Sequence, residues 1–414
     1  MLSPMRRLGL PGWILLAMLA GIVIGAAWPH TGIALQPLEV IFLRLIKVIV
    51  GPLIFATLVS GIAGHGDMRG VGRIGLKAII YFEVATTLAL VLGLAAAHLF
   101  HPGRGVALAP ATGVEASVSP AAPVSLMDNL ILHAVPQSFA DALARGEVLQ
   151  VVVFSLLLGL AIIAAGESGK PLLRFCQSLA QVMFRFTNMV MWFAPLGVLG
   201  ALAAGVGREG VGVLWPLLRL VGTLYLTLVL FLTVLVCAVM LLFRIPARRF
   251  LLAVREPVMI AFSTASSEAA LPRAIEEMET LGVSARIAGF VIPAGYSFNL
   301  DGSTLYLSLA ALFIAQLAGL HLGLERELLL MLTLMLTSKG VAGVARGAIV
   351  VLAGAAGTFG LPLAGVALVL GVDQFLDMGR TAVNVFGNCL AAAAVARWEG
   401  ESLDVRGMAR VAHD

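Results

Sequence analysis

The chain is dominated by apolar runs of bilayer length, at residues 8–28, 37–63, 74–100, 148–166, 172–204, 211–243, 287–318 and 361–396. A helix needs about 20 predominantly apolar residues to cross the hydrocarbon core, whereas a barrel strand needs about 9–11. Inside lipid every backbone N–H and C=O must find a partner within the protein, so runs of this length are expected as helices. The expected fold class is an all-α polytopic membrane protein. Composition agrees: of 414 residues, 60% are hydrophobic and 12% charged, about half the charged share of a soluble domain.

The last run is unlike the others. At about 100° per residue, Asp373, Asp377, Arg380, Asn384 and Asn388 fall within an arc of roughly 80°, so two acids, an arginine and two amides share one stripe of a membrane helix. Charges at that depth are costly and face a bundle interior or a wet cavity. An Asp–Arg pair that only joined helices would not need five polar positions in register. The stripe is therefore expected to be a binding site.

Other chemistries find little support. The net charge of +4 comes from basic residues at segment ends, which does not suit nucleic acid. Cys176, Cys237 and Cys389 are far apart, and only His98 and His101 of the seven histidines are close in sequence. Neither set has metal-ligand or disulfide spacing. Ser266 and Ser267 have no histidine placed by sequence to activate them, which disfavours an enzyme.

Residues 1–7 are short and basic, and Gly25-Ala26-Ala27 resembles a signal-peptide end. The run is long for that and many more follow, so it is expected to be the first span. Arg44 and Lys47 share a face of the second. The third holds Glu83, Thr86 and Thr87, where Glu83 is either a proton or cation ligand or a satisfied structural acid. Residues 101–128 form a Pro-, Ala-, Ser- and Gly-rich loop. Residues 129–166 join an amphipathic part to an apolar helix from Val148. Basic residues concentrate in alternate loops, at the amino terminus, Arg69 and Arg73, Lys170 and Arg174, and Arg244 to Arg249. By the positive-inside rule both termini are expected in the cytoplasm.

The carboxy-terminal third departs from simple spans. Residues 257–272 are too short to cross and contain Ser263-Thr264-Ala265-Ser266-Ser267-Glu268, which suits a hairpin that enters and returns. Residues 293–303, Pro-Ala-Gly-Tyr-Ser-Phe-Asn-Leu-Asp-Gly-Ser, predict an unwound stretch within the next helix. A second candidate hairpin runs from 328 to 359 around Thr337-Ser338-Lys339-Gly340. The order hairpin, helix, hairpin, helix is the internal repetition expected of a secondary transporter.

The residue types call for an anionic amino acid moving with cations. Arg380 can grip a carboxylate bidentately, and backbone N–H groups beside Ser266 and Ser267 can take a second. Asp377, one turn from Arg380, is placed for an ammonium. Asn299, Asp301 and Asn384, with carbonyls around Gly295, Ser297, Ser338 and Gly340, offer the oxygens that hard monovalent cations want.

Four ordered motifs also carry a resemblance. Asn299-Leu300-Asp301-Gly302-Ser303, the Ser266-Ser267-Glu268 tip, the Ser338-to-Gly343 tip and Asp377-Met378-Gly379-Arg380-Thr381-Ala382-Val383-Asn384 resemble the dicarboxylate/amino acid:cation symporter family, which includes the glutamate transporters. The likeness extends over nearly the whole chain and is closest to the bacterial proton/glutamate–aspartate branch. It implies eight transmembrane helices plus two re-entrant helical hairpins, glutamate-transporter-like with internal inverted repeats. It also implies a homotrimer in the bacterial inner membrane. Residues 1–250 would form mainly scaffold, with the third span joining the transport core, 251–400 the core that moves like an elevator, and 401–414 a cytoplasmic tail. On the family's pattern, Arg380 and Ser303 hold the side-chain carboxylate, Asp377 and Thr381 the ammonium, and Ser267 and Asn384 the α-carboxylate. Gly343 and Val344 lie at the external gate. The coupling ion is H+ or Na+, with a sodium site at Gly295, Asn299, Asp301 and Asn384. No other cofactor is implied.

Three departures qualify this. Asn388 stands where sodium-coupled relatives often carry aspartate, which leans toward protons. Leu307 replaces a glutamate that animal relatives use in coupling, leaving Glu83 and Glu268 as proton candidates. Ala345-Arg346 replaces a common Pro-Gly. The main alternative is a C4-dicarboxylate symporter, a branch that typically lacks the acid found here at Asp377.

Overall fold

The computed structural model describes residues 10–63, 68–104, 135–145, 148–339 and 347–403. Among these residues the chain forms sixteen α-helices and no strand, in keeping with the sequence expectation. They are α1 (Leu10–Ala27), α2 (Pro29–Ala34), α3 (Gln36–Ala63), α4 (Met68–Phe100), α5 (Phe139–Arg145), α6 (Val148–Ala165), α7 (Lys170–Met191) and α8 (Ala194–Glu209). There follow α9 (Leu214–Phe243), α10 (Ala247–Thr264), α11 (Ser267–Leu281), α12 (Ala285–Phe298), α13 (Asp301–Leu317), α14 (Leu324–Ser338), α15 (Gly347–Phe359) and α16 (Leu363–Trp398). Among the described residues, five helical stretches, Pro29–Ser60, Arg73–Phe100, Gln150–Met191, Val211–Phe243 and Ala285–Leu317, are long and apolar enough to cross a membrane. Leu218, Leu226, Val229 and Leu230 of α9 are exposed, an apolar surface that lipid can cover and water cannot. The protein is a multi-pass membrane protein.

Contacts divide the chain into two compact units. One comprises Met1–Gly64, Ala96–Thr223 and Leu307–Gln374. In it α8 packs against α1, α2 and α3, while α3 also packs against α6, α7 and α15. The buried face of α7, Cys176, Ala180, Met183, Thr187 and Val190, follows alternating spacings of four and three, the period of an amphipathic helix. Phe139 of α5 stacks on Phe154 of α6 with ring centroids 4.3 Å apart. Helices α14 and α15, the arms of the second expected hairpin, pack on each other. Its tip, including Gly343, Val344 and Arg346, lies outside the described residues.

The other unit comprises His65–Ala95, Leu224–Tyr306 and Phe375–Asp414. Here α10 and α11 pack as the two arms of the first expected hairpin. Each buries one stripe, Phe250, Val254, Pro257 and Ala261 on α10, and Ala270, Ala274, Met278 and Leu281 on α11. The turn is Ala265, in the left-handed region at φ 49°, followed by Ser266, whose Oγ accepts from the Ala269 N–H at 3.3 Å. Ser266 is thus the N-cap of α11.

Three expectations need correction. The single run 172–204 is two helices, because Pro195 falls at the start of α8, where its missing N–H is harmless, whereas deeper in a continuous helix it would break a hydrogen bond. The unwound stretch foreseen over 293–303 shrinks to Asn299 and Leu300. Helix α12 continues past Pro293, and the Asn299 N–H still reaches the Gly295 carbonyl at 2.8 Å. The loop read before residue 74 is already helical from Met68.

Candidate functional site

Helix α16 runs 36 residues and is buried over most of its length. Its polar stripe is buried with it: Asp373 and Asn388 are 0% exposed, Arg380 1% and Asn384 3%. Helical spacing alone brings the first cluster together. Arg380 Nε donates to Asp377 Oδ1 at 2.9 Å, one turn away, and Thr381 Oγ1 donates to the same oxygen at 3.2 Å. The Arg380 guanidinium carbon lies 4.5 Å from the centroid of the Tyr306 ring on α13, a cation–π arrangement. Ion pair and ring together hold a full positive charge that has lost its water.

The α12–α13 break supplies the second cluster. A helix start leaves its first N–H groups without partners in the helix, and here another helix caps it. Asn384 Oδ1 accepts from the N–H of Gly302 at 2.8 Å and of Ser303 at 3.3 Å, while its Nδ2 donates to Ser303 Oγ at 3.0 Å. Asn384 and Ser303, expected at the substrate, are therefore bonded to each other, one turn along α16 from Arg380.

The third cluster lies one turn further. Asn299 Nδ2 donates to Asn388 Oδ1 at 3.0 Å. Two glycines permit this close approach. A Cβ on Gly295 would lie 2.3 Å from Asn388 Oδ1, and one on Gly387 would lie 2.7 Å from Asp301 Oδ2. Asn299 and Asp301 are fully buried. Asn299 Oδ1, and on α4 Thr86 Oγ1 and Tyr81 Oη, are buried oxygens with no hydrogen-bond partner among the described residues. Buried polar atoms are rarely left so, and oxygens are the donors that a hard cation takes.

The sequence profile described as the sodium:dicarboxylate symporter family matches residues 10–398. The chain belongs to this family. It is 43% identical to the proton/sodium-glutamate symport protein of Geobacillus stearothermophilus, over 99% of each chain. It is 42% identical to the protein of that name from Bacillus subtilis, over 95% of this chain and 94% of that one. It is also 43% identical to the C4-dicarboxylate transport protein of Anaeromyxobacter sp. (strain K), over 96% of this chain and 92% of the relative. The protein is thus a secondary transporter rather than an enzyme.

The remaining candidates of this symporter lie on α4, α11, α12 and α14. Ser267 is half-buried and Glu268 exposed at the start of α11. Glu83 is half-buried on α4, and its carbonyl accepts from Thr87 Oγ1 at 2.7 Å. Ser297 is half-buried on α12. Ser338 Oγ bonds back to the Met335 carbonyl at 2.9 Å in the last turn of α14. Sequence reasoning missed Tyr306, Tyr81 and Gly387. Tyr306 left a usable signal, since it follows Ser303 by three residues and so shares its helix face.

Proposed function

We propose that the protein is a cation-coupled symporter of acidic amino acids, glutamate and aspartate, working by elevator-type alternating access. The observation that carries this reading is Asp377 bonded to Arg380 on a buried stripe. Without substrate, each charge neutralises the other, since an unpaired buried charge costs several kcal/mol. An acidic amino acid brings the complementary set: its side-chain carboxylate takes Arg380, with Ser303 beside it, and its ammonium takes Asp377 and Thr381. Ser267 and Asn384 take the α-carboxylate.

Charge balance then calls for cations. A neutral Asp–Arg pair that accepts a substrate of net charge −1 becomes net negative, and buried Asp301 adds another carboxylate. Carrying such a site through a low-dielectric membrane is unfavourable unless cations travel with it. The oxygens of Asn299, Asp301 and Asn384, with the carbonyl of Gly295 and the Thr86 hydroxyl, suit Na+. Asn388 in place of a carboxylate favours H+, carried by Glu83 or Glu268. We further read the protein as a homotrimer of the bacterial inner membrane with both termini cytoplasmic and eight spans plus two re-entrant hairpins. Residues 251–400 form its moving core, and Gly343 and Val344 the external gate.

The second reading is a C4-dicarboxylate symporter, favoured by the name of the Anaeromyxobacter relative and disfavoured by Asp377. Uptake of labelled aspartate into proteoliposomes, under separately imposed proton and sodium gradients with succinate as competitor, distinguishes them. Gradient-driven uptake that succinate barely inhibits supports the amino-acid reading. Strong succinate competition moves the protein to the second, and the gradient that drives uptake names the ion.

A further inference from the structure

We propose that His98 and Glu327 form a protonation site, separate from the substrate stripe, that sets how firmly the first turn of α14 is held. Glu327 is 5% exposed, yet its carboxylate meets a ring nitrogen, His98 Nε2, at 2.9 Å. His98 stands in the last turn of α4 and Glu327 in the first turn of α14. Helix dipoles favour a cation at the first position and an anion at the second. The His98 side chain is 53% exposed, so solvent protons reach it while its partner stays dry. Histidine is the side chain whose charge ordinarily changes between about pH 5 and 8.

The surroundings isolate this one contact. The pair borders a cavity of about 560 Å³ that is also lined by His101, Arg104, Gln316 and His321. Gln316 forms a neutral strap there, accepting from the Gly103 N–H at 3.0 Å and donating to the Ala97 carbonyl at 2.9 Å. That strap joins the end of α4 to α13 at any pH. The His98–Glu327 contact joins α4 to α14, and it changes with protonation. Among the described residues, His101, Arg104 and His321 are the other charged or titratable groups on the cavity wall beside the pair. Helices α6 and α15, which pack along α14, contain no titratable residue.

With His98 protonated and Glu327 ionised, the contact is an ion pair as well as a hydrogen bond, with charge on both partners rather than on the carboxylate alone. With His98 neutral the Coulombic part is lost, and the first turn of α14 is held less firmly. Since α14 is the first arm of the hairpin read above as the gate, acid on that face restrains the gate. This last step rests on the proposed function; the protonation site does not.

Hydrogen–deuterium exchange of the full-length protein, without substrate or gradient and corrected for intrinsic rates, tests the site. Protection of the amides at 324–338 is expected to rise roughly two- to fivefold from pH 8 to pH 5.5, the worth of an ion pair with one half-exposed partner. His98→Gln removes the rise, while His101→Gln and His321→Gln keep it. A rise that survives in His98→Gln, or that disappears in His101→Gln or His321→Gln, overturns the proposal. His98 is largely exposed, so its variant folds even where Glu327→Gln does not. For the gate, aspartate counterflow at equal pH on both faces should slow several-fold more at pH 5.5 in the wild type than in His98→Gln, since any pH dependence from proton coupling is common to both. Identical profiles refute restraint of the gate. Absence of counterflow in the wild type refutes the proposed function and leaves exchange to decide the site.

Discussion

At Arg380 a charge that is 1% exposed is held by Asp377, one turn away on its own helix, and by the ring of Tyr306. Removing either member of a buried pair leaves the other uncompensated, which typically costs about 3–5 kcal/mol. Arg380→Ala should therefore lower the melting temperature and reduce aspartate uptake by about 10- to 100-fold, the effect of losing a buried charge-assisted contact. Uptake of a neutral amino acid is the control that can survive. Aspartate uptake that persists in this variant would remove Arg380 from the site. Asp377→Ser separates ammonium from carboxylate recognition: aspartate uptake should fall far more than succinate uptake. Equal loss of both would mean that Asp377 serves Arg380 rather than the substrate. The stripe was legible in the sequence because helical periodicity is local. Tyr306 was not, because its ring meets Arg380 only after α13 and α16 have packed.

The capping of α13 belongs to the scale of the element. Its first turn depends on Asn384, a side chain 82 positions downstream of Gly302. Asn384→Ala leaves the Gly302 and Ser303 N–H groups and the Ser303 hydroxyl without that partner, at a cost of about 1–3 kcal/mol. A lower melting temperature should accompany weaker binding of both substrate and cation, since the same break carries Asn299 and Asp301. Asn384→Asp keeps an acceptor oxygen for the two N–H groups, and the Ser303 hydroxyl can donate to its second oxygen, so it should recover part of the stability. Unchanged melting in the alanine variant would mean that water caps α13 equally well. Sequence found this break but made it too wide. Pro293, two glycines, Asn299 and Asp301 all disfavour helix locally, yet packing preserves α12 through Phe298, since burial outweighs propensities of about 1 kcal/mol for a glycine and about 3 kcal/mol for a proline. The reverse occurred at 172–204, where uniform hydropathy concealed the start of α8 at Ala194.

For the molecule as a whole, hydropathy was enough to identify a multi-pass helical membrane protein, because lipid leaves the backbone few alternatives. It could not show how the end of α16 is fastened, since that involves charges 326 positions apart. Glu399, just beyond α16, pairs with Arg73 and, at 2.6 Å, with Lys77, both on α4. Lys77 Nζ also donates to the Trp398 carbonyl at 2.8 Å. Next to this lock, Arg397 Nε reaches the Phe243 carbonyl of α9 at 3.0 Å, and Glu401 accepts from the Ser284 N–H before α12 at 3.0 Å. The hydrogen bonds from Lys77 and then Arg73 hold the Glu399 carboxyl below its usual value of 4.5. A carboxylate whose folded value is depressed contributes stability above the unfolded value and loses it as pH falls through the folded one. The wild-type melting temperature should therefore decline as pH falls from about 5 to below 4. Glu399→Gln should already be lower at pH 7 and decline less over that interval. Salt should narrow the gap between the two proteins, because Arg73 is 75% exposed and its share of the pairing is screened. Two parallel melting curves across the acid range would show that this lock adds nothing to stability and that α16 is held by its buried length alone.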